Sequence, residues 1–346
     1  DATQELTAAG IKVLLAPDVC AKLKHYHGVD DSMIELFEPS PDAEFGGDHV
    51  AVDDDLMGDK KRANRHGTSH PDLICTLGGD GLLMYAGMMF PGPVPPILCI
   101  AGGSLGFLTP FSREEMVPAI MISLGMLENT EIESGEDMKK TLLEARLPFQ
   151  EIMDHTPQFS VGLDKLVCLS MRMRLDVRVI NREGVVRARF NVLNEVIIDR
   201  GGSPYLANLE CFCDDVHLTT VQADGVIFAT PTGSTAYSMA AGGSVVHPAV
   251  PAILVTPVCP HVLSFRSMVF PDSVVLRCYV PEDARADACV AFDGRYRRVL
   301  RRGDSVQIQM SRHPVPTINR VDHSSDWLNS LKRNFNFNAR AKQRPL

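Results

Sequence analysis

The sequence predicts an α/β N-terminal domain with an open, mostly parallel sheet, followed by a β-rich C-terminal domain that is antiparallel and sandwich-like. Short apolar runs at 11–15, 73–77 and 97–100 alternate with helix-like stretches, as in an open α/β sheet. From 171 to 179, apolar residues alternate with polar ones, which is typical of a strand with one buried face. Similar alternation recurs further along the chain and favours antiparallel pairing.

These patterns also divide the chain into domains. We expect residues 1–110 to form the α/β domain and residues 111–319 to form the β-rich domain, with a helix at 113–127. The C-terminal segment 320–346 is expected to pack back on the α/β domain.

The composition limits the classes of protein that the chain can represent. Of its 346 residues, 45% are hydrophobic and 22% are charged, and the formal net charge is -9. Nucleic acids and membrane surfaces attract cationic proteins, so we expect neither as a partner. No apolar run reaches membrane-spanning length.

Cysteine use indicates a reducing compartment. None of the nine cysteines belongs to a CxxC pair, and the closest two are Cys211 and Cys213. Scattered thiols make disulfides and structural zinc unexpected. The chain begins at Asp1 without a signal-peptide pattern, so an upstream targeting segment is left open.

The first candidate site is the turn Gly78-Gly79-Asp80-Gly81, between an apolar run and a helix-like segment. Glycines allow the backbone to approach a ligand closely, and the N–H groups of a helix N-terminus attract phosphate. A carboxylate beside polyphosphate is repelled unless it handles a metal ion or accepts a proton. Asp80 therefore indicates phosphoryl transfer, whereas the alternative is an ordinary tight connection with an exposed Asp.

A second glycine turn, residues 102–110, follows the apolar run 97–100. In a parallel sheet both turns lie at the carboxyl edge of the strands, where ligands usually bind. Phe107, large and apolar among glycines, indicates contact with a flat ligand. The alternative is a packed crossover.

Two further motifs place polar groups in apolar surroundings. Asn194-Glu195 suits an adenosine, because the amide can pair with an adenine edge while the carboxylate accepts from a ribose diol. The run 230–237 supplies hydroxyls and amides before a helix expected to begin at Ala236. The alternatives are a strand-end turn for the pair and an ordinary N-cap for the loop.

Taken in order, these motifs resemble the NAD kinase family, and the likeness is nearest to its cytosolic eukaryotic branch. The resemblance covers about residues 73–311 and consists of Gly78-Gly79-Asp80-Gly81, the run 104–109, Asn194-Glu195, Asp224-Gly225, the run 230–237, His247-Pro248 and the run 292–295. Any one of these motifs alone would be weak, whereas the ordered set is specific.

The resemblance implies transfer of the γ-phosphoryl group of ATP, supplied with Mg²⁺, to the 2′-hydroxyl of the adenosine ribose of NAD. It implies an α/β nucleotide domain and a β-rich NAD-binding domain with the active site between them. It also implies a cytoplasmic homo-oligomer, a tetramer. No metal ligand is assigned.

The resemblance also implies residue roles. Asp80 is the acid-base residue, and Gly78, Gly79 and Gly81 line the phosphates. Asp224 faces the nicotinamide end of NAD. The remaining NAD-binding candidates are Phe107, Asn194, Glu195, Thr232, Thr235, Ala236, Tyr237 and Asp293.

Two departures from the family pattern keep other readings open. Leu82 stands where the family usually has Thr, which removes a hydroxyl that could reach a phosphate, and the stretch 129–166 is interpreted as an insertion. The alternatives are a lipid or sugar kinase with the same glycine turn, and a nucleotide-binding protein that senses NADP with little turnover.

Overall fold

The computed structural model describes residues 2–16, 19, 31–37, 71–126 and 167–335. The predicted insertion and the end of the chain after residue 335 lie outside the described residues. No helix among the described residues is long and apolar enough to cross a bilayer.

The α/β domain is built on a four-stranded sheet. Its strands, in spatial order, are β3 (Ile74–Gly78), β4 (Ile97–Ala101), β18 (Val315–Ile318) and β5 (Leu169–Arg172). The first three are parallel and β5 is antiparallel at one edge. A separate parallel pair consists of β1 (Val13–Leu15) and β2 (Ile34–Leu36).

Helices cover both faces of this sheet. The helices are α1 (Ala2–Ala8), α2 (Asp80–Met88) and α3 (Met116–Ser123). Leu98 and Ile100 lie in one buried cluster with residues of α1 and α3, whereas Ile97 lies in another with Leu83 of α2. A strand buried on both faces is apolar throughout, which is why β4 was recognisable in the sequence.

The β-rich domain consists of two six-stranded antiparallel sheets. The first contains, in spatial order, β10 (Val216–Ala223), β9 (Ala207–Cys213), β14 (Leu276–Tyr279), β17 (Ser305–Met310), β6 (Leu175–Ile180) and β7 (Val186–Val192). The second contains β13 (Met268–Pro271), β12 (Ala252–Val258), β11 (Gly225–Ala229), β8 (Glu195–Asp199), β15 (Ala288–Phe292) and β16 (Arg295–Leu300).

Apolar side chains of the two sheets form one core between them. Phe190 of β7 and Phe292 of β15 stack with ring centroids 3.9 Å apart. Aromatic stacking of this kind adds to the burial of apolar surface. The predicted class, an α/β domain followed by a β-rich antiparallel domain, is confirmed.

The predicted domain boundary at residue 111 is wrong. Helix α3 packs on the α/β sheet through Ala119 and Ile120, and both β5 and β18 are strands of that sheet. The chain therefore leaves the β-rich domain at β18 and rejoins the first domain. Helix α5 (His323–Phe335) then follows β18; the Arg320 guanidinium that precedes it pairs with Glu115 at 2.7 Å.

The single strand predicted at 171–179 is also wrong, because β5 and β6 belong to different sheets. The chain crosses from one sheet to the other at Arg174. Alternation placed this arginine on a wet face, yet its side chain is buried and donates hydrogen bonds to the carbonyls of Gly87, Phe90, Gly92 and His313. Burial lowers the pKa of Arg174 to about 10.

We predict that Arg174→Ala destabilises the protein, because buried carbonyls would lose their donor. Burying unsatisfied polar groups costs about 1–3 kcal/mol each, so the free energy of unfolding should fall by about 3 kcal/mol in urea titrations. Arg187→Ala, an exposed arginine on β7, is the control and should change it by less than about 0.5 kcal/mol. Equal stability of the two variants would contradict the role given to Arg174.

Candidate active site

The Asp80 carboxylate joins the two glycine turns. Its Oδ2 accepts the N–H of Phe107 at 3.0 Å, and its Oδ1 accepts the N–H of Leu108 at 2.9 Å. Gly106 is required beside it, since a β-carbon there would lie 2.5 Å from Oδ1. The structure thus brings together the two turns that sequence reasoning placed at the same sheet edge, and it fixes the orientation of this carboxylate.

The backbone of the first turn is open to an anion. The N-cap of α2 is Gly79, and no side chain caps its first turn. The amide of Gly102 donates to the carbonyl of Gly78 at 3.2 Å, and a β-carbon on Gly102 would lie 3.2 Å from Gly78 Cα. The Leu82 amide donates to the Gly79 carbonyl at 2.9 Å, and the amides of Asp80 and Gly81 before it are available for phosphate oxygens.

Asn194 lies against the same helix. It stands between β7 and β8, where the chain crosses from one sheet to the other, and its Nδ2 donates to Met84 Sδ at 3.6 Å. Met84 comes one helical turn after Asp80, so the two side chains lie on one face about 5–6 Å apart. Asn194 consequently lies about one helical turn from Asp80, at the junction of the two domains.

The Asn194-Glu195 pair has unused acceptors. Asn194 Oδ1 and Glu195 Oε2 are buried and have no hydrogen-bond partner among the described residues. Buried polar atoms are almost always paired, and an unpaired one calls for water or a ligand. Two such acceptors on consecutive residues suit the donors of an adenosine.

Asp293 holds this pair in place. Its carboxylate accepts the N–H groups of Leu193 at 2.9 Å, Asn194 at 2.7 Å and Glu195 at 3.1 Å. Asp293 is buried and has a φ of 47°, so the hairpin turn itself directs the carboxylate inward. Both oxygens are engaged by the backbone, which makes Asp293 a positioning residue in this structure.

The two acids share a buried site. Burial, together with the charge of Asp293, raises the pKa of Glu195 to about 7, although the hydrogen bond from the Tyr237 amide opposes the shift. Burial also raises the pKa of Asp293 to about 6, although its three backbone hydrogen bonds oppose this. Near neutral pH, the Glu195 carboxyl is therefore partly protonated.

The loop after β11 packs directly on the pair. Thr230 Oγ1 donates to the carbonyl of Leu193 at 2.6 Å, and a β-carbon on Gly233 would lie 2.1 Å from the carbonyl oxygen of Asn194. A single 3₁₀ turn (Thr232–Thr235) follows, and the short helix α4 (Tyr237–Ala240) begins one residue later than predicted. The loop that carries the predicted residues Thr232, Thr235, Ala236 and Tyr237 contacts Asn194-Glu195 through Gly233 and through the Tyr237 amide, which hydrogen-bonds to Glu195.

Asp224 is not part of this cluster. It precedes β11, whose Gly225 pairs with Asp199 while Ala229 pairs with Glu195. Asp224 and the Glu195 end of the sheet are therefore about 17 Å apart along the strands. Its carboxylate pairs with Arg200 at 2.7 Å. Within one chain, the structure does not bring Asp224 to the predicted site.

Helix α5 adds residues that sequence reasoning missed. Arg333 Nη2 donates to the carbonyl of Gly106 at 2.8 Å, and the rings of Phe335 and Phe107 lie 5.7 Å apart. Burial lowers the pKa of Arg333, and the nearby charge of Asp80 opposes that shift. The sequence offered one signal, the expectation that segment 320–346 returns to the first domain.

Comparisons with known proteins agree with this architecture. Residues 3–123 match the ATP-NAD kinase N-terminal domain, and residues 193–320 match the ATP-NAD kinase C-terminal domain. NAD kinase 2, chloroplastic, of Arabidopsis thaliana is 43% identical over 276 residues, which are 80% of this chain and 25% of that protein. The NAD(+) kinase of Saccharomyces cerevisiae is 41% identical over 277 residues, which are 79% and 46% of the two chains. The chain thus spans less than half the length of these two relatives.

Solved structures give the same result. Yeast NADH kinase complexed with NADH superposes with a TM-score of 0.68 at 28% identity, over 99% of this chain and 86% of that one. An NAD kinase from Archaeoglobus fulgidus in complex with ATP, at 19% identity and a TM-score of 0.52, supports the fold alone. Both parts of the ATP-NAD kinase pattern occur in this chain in order, and the resemblance drawn from the motifs is confirmed: the chain belongs to the NAD kinase family.

Proposed function

We propose that this chain transfers the γ-phosphoryl group of MgATP to the 2′-hydroxyl of the adenosine ribose of NAD, giving NADP and ADP. The observation that carries the proposal is the contact of Asn194 with Met84 of α2, one helical turn after Asp80. A carboxylate at a phosphate-type turn and buried acceptors suited to an adenosine are then about one helical turn apart. Membership of the NAD kinase family supports the same reaction.

The donor binds at the N-terminus of α2. Gly78, Gly79 and Gly81 let the phosphates approach the backbone, and the uncapped amides of the helix supply hydrogen bonds. The chain has no Walker lysine motif. Mg²⁺ enters with ATP, coordinated chiefly by phosphate oxygens and water, and among the described residues no three side chains form a metal site.

The acceptor binds across the domain junction. Asn194 pairs with the adenine, and ionised Glu195 accepts from the ribose diol. The Phe107 amide is held by Asp80, and its ring, 5.7 Å from the Phe335 ring of α5, lies against the base. The loop residues Thr232, Thr235, Ala236 and Tyr237 close the pocket from the β-rich side.

Asp80 accepts the proton in the transfer step. As the 2′-oxygen forms its bond to the γ-phosphorus, its proton moves to the Asp80 carboxylate, and the bond from phosphorus to the β,γ-bridging oxygen breaks with its electron pair leaving on ADP. The amides of Phe107 and Leu108 hold the carboxylate in one orientation during this step.

We further propose that Asp224 contacts the nicotinamide end of NAD from a second copy of the chain, in a homo-oligomer that is a tetramer. The roughly 17 Å between Asp224 and Glu195 along the strands supports this arrangement. A reducing compartment, the cytoplasm, remains the proposed location, supported by described cysteines that are all free.

A second candidate function, an NADP sensor, is favoured by Leu82. Its side chain is 38% exposed at the first turn of α2, and its Cδ2 lies 3.1 Å from where a β-carbon on Gly78 would be. Apolar bulk therefore replaces a hydroxyl beside the phosphate turn. Such a protein would bind the dinucleotide tightly and turn over little.

The first prediction separates these functions. Purified protein incubated with MgATP and NAD should form NADP, detected with an NADP-specific dehydrogenase. Asp80→Asn should lower kcat by about 10³-fold, as expected for loss of a general base, and calorimetry should show that it still binds NAD. Asp283→Asn, at an exposed site, should behave as the unmodified protein. Binding without NADP formation would support the sensor, and phosphorylation of diacylglycerol instead would support a lipid kinase.

The second prediction concerns pH. Because burial raises the pKa of Glu195 to about 7, the ionised form that accepts from the ribose becomes scarce as the pH falls below 7. NAD affinity should therefore drop about tenfold between pH 8 and pH 6. The slope should flatten in Glu195→Gln, whose affinity is lower at pH 8. A slope that is the same in both proteins would exclude Glu195 as the titrating group.

The third prediction concerns Leu82. Leu82→Thr should raise kcat/KM for ATP by about tenfold, which corresponds to one hydrogen bond to a charged group. Leu82→Ala removes the bulk without adding a hydroxyl and serves as the control. An equal gain in both variants would show that bulk, not the missing hydroxyl, limits donor binding.

A further inference from the structure

Arg295 occupies a fixed position beside the proposed site. It opens β16 directly after Asp293 and Gly294, both of which have positive φ angles, of 47° and 69°. The hydrogen bonds from the three amides of residues 193–195 to Asp293 anchor this turn. The backbone that carries Arg295 is therefore locked to the Asn194-Glu195 pair.

The guanidinium of Arg295 extends over the phosphate turn. Its Nη2 lies 3.8 Å from the position that a β-carbon on Gly81 would occupy. Arg295 is exposed, and it forms no hydrogen bond or ion pair with another described residue. Two further arginines interact with the charge of Asp80: Arg333 donates to Gly106 and Ser330, and buried Arg172 donates to Thr317. The fold uses Arg333 for packing and leaves the Arg295 donors free.

The proposed reaction needs a cation at this place. Phosphoryl transfer develops charge on the oxygens around the moving phosphorus, and backbone amides neutralise only part of it. The chain has no Walker lysine motif to supply the remainder. A guanidinium fork binds two phosphate oxygens at once. Arg295 lies at the side of α2 where its fork can meet the γ-phosphate.

We propose that Arg295 is a further catalytic residue, which binds the transferred phosphoryl group and neutralises its charge as it moves to the ribose oxygen. The inference rests on the proposed function. It places the positive charge on the hairpin of the β-rich domain and the base on the α/β domain, so that the reacting phosphorus lies between residues of both.

The test compares Arg295→Ala and Arg295→Lys with Arg302→Ala, which removes an exposed arginine in the turn between β16 and β17. Arg295→Ala should lower kcat by about 10²–10³-fold with KM for NAD within about threefold. Arg295→Lys should retain an intermediate kcat, because it keeps the charge without the fork. Millimolar guanidinium added to Arg295→Ala should restore part of the lost kcat, which a purely structural role would not permit.

Two outcomes would overturn the inference. One is a kcat of Arg295→Ala within about threefold of Arg302→Ala, and the other is a loss confined to KM for NAD, which would place Arg295 on the dinucleotide. If thermal unfolding shows that Arg295→Ala does not fold, Arg295→Gln replaces it and is judged by the same two criteria. Absence of NADP with the unmodified protein would mean that the proposed function itself has failed, whereas NADP formation unaffected at Arg295 would reject only this inference.

Discussion

The structure depends on the hydrogen bonds between the Asp80 carboxylate and the amides of Phe107 and Leu108. They tie the start of α2 to the turn after β4, and Gly106 has no side chain because the carboxylate fills that space. A carboxylate held by two amides cannot swing away from the sheet edge. The residue proposed to accept a proton is thus also the residue that assembles the two turns around it.

In the β-rich domain, the buried backbone amides around Asn194 need hydrogen-bond acceptors. The chain must cross from one sheet to the other between β7 and β8, which exposes backbone amides inside the protein. Asp293 satisfies three of them from the opposite hairpin. This arrangement places the buried acid Asp293 next to Glu195, and burial raises the pKa of both carboxyl groups. The Asp293 carboxylate therefore both positions the Asn194-Glu195 pair and contributes to the raised pKa of Glu195.

Much of the fold and of the candidate site could be predicted from the sequence. Apolar runs located β3 and β4, and the turns at their carboxyl ends carried Asp80 and Phe107 to one edge. The alternating pattern wrongly predicted an exposed Arg174, because a sequence does not distinguish an arginine buried against carbonyls from an exposed one. The position of Asp224 relative to Glu195 was also hidden, since strand register decides which end of β11 lies beside Glu195 and motif spacing cannot reveal it.

The central claim is that Asp80 reaches the 2′-hydroxyl of an adenosine held by Asn194 and Glu195. A crystal structure of the protein with NAD bound tests it most directly. The account predicts the 2′-oxygen within about 3 Å of an Asp80 carboxylate oxygen, the reach of a hydrogen bond. An adenosine bound at Asn194-Glu195 with its 2′-oxygen beyond that reach and its 3′-oxygen at Asp80, or an adenosine bound elsewhere, would contradict it.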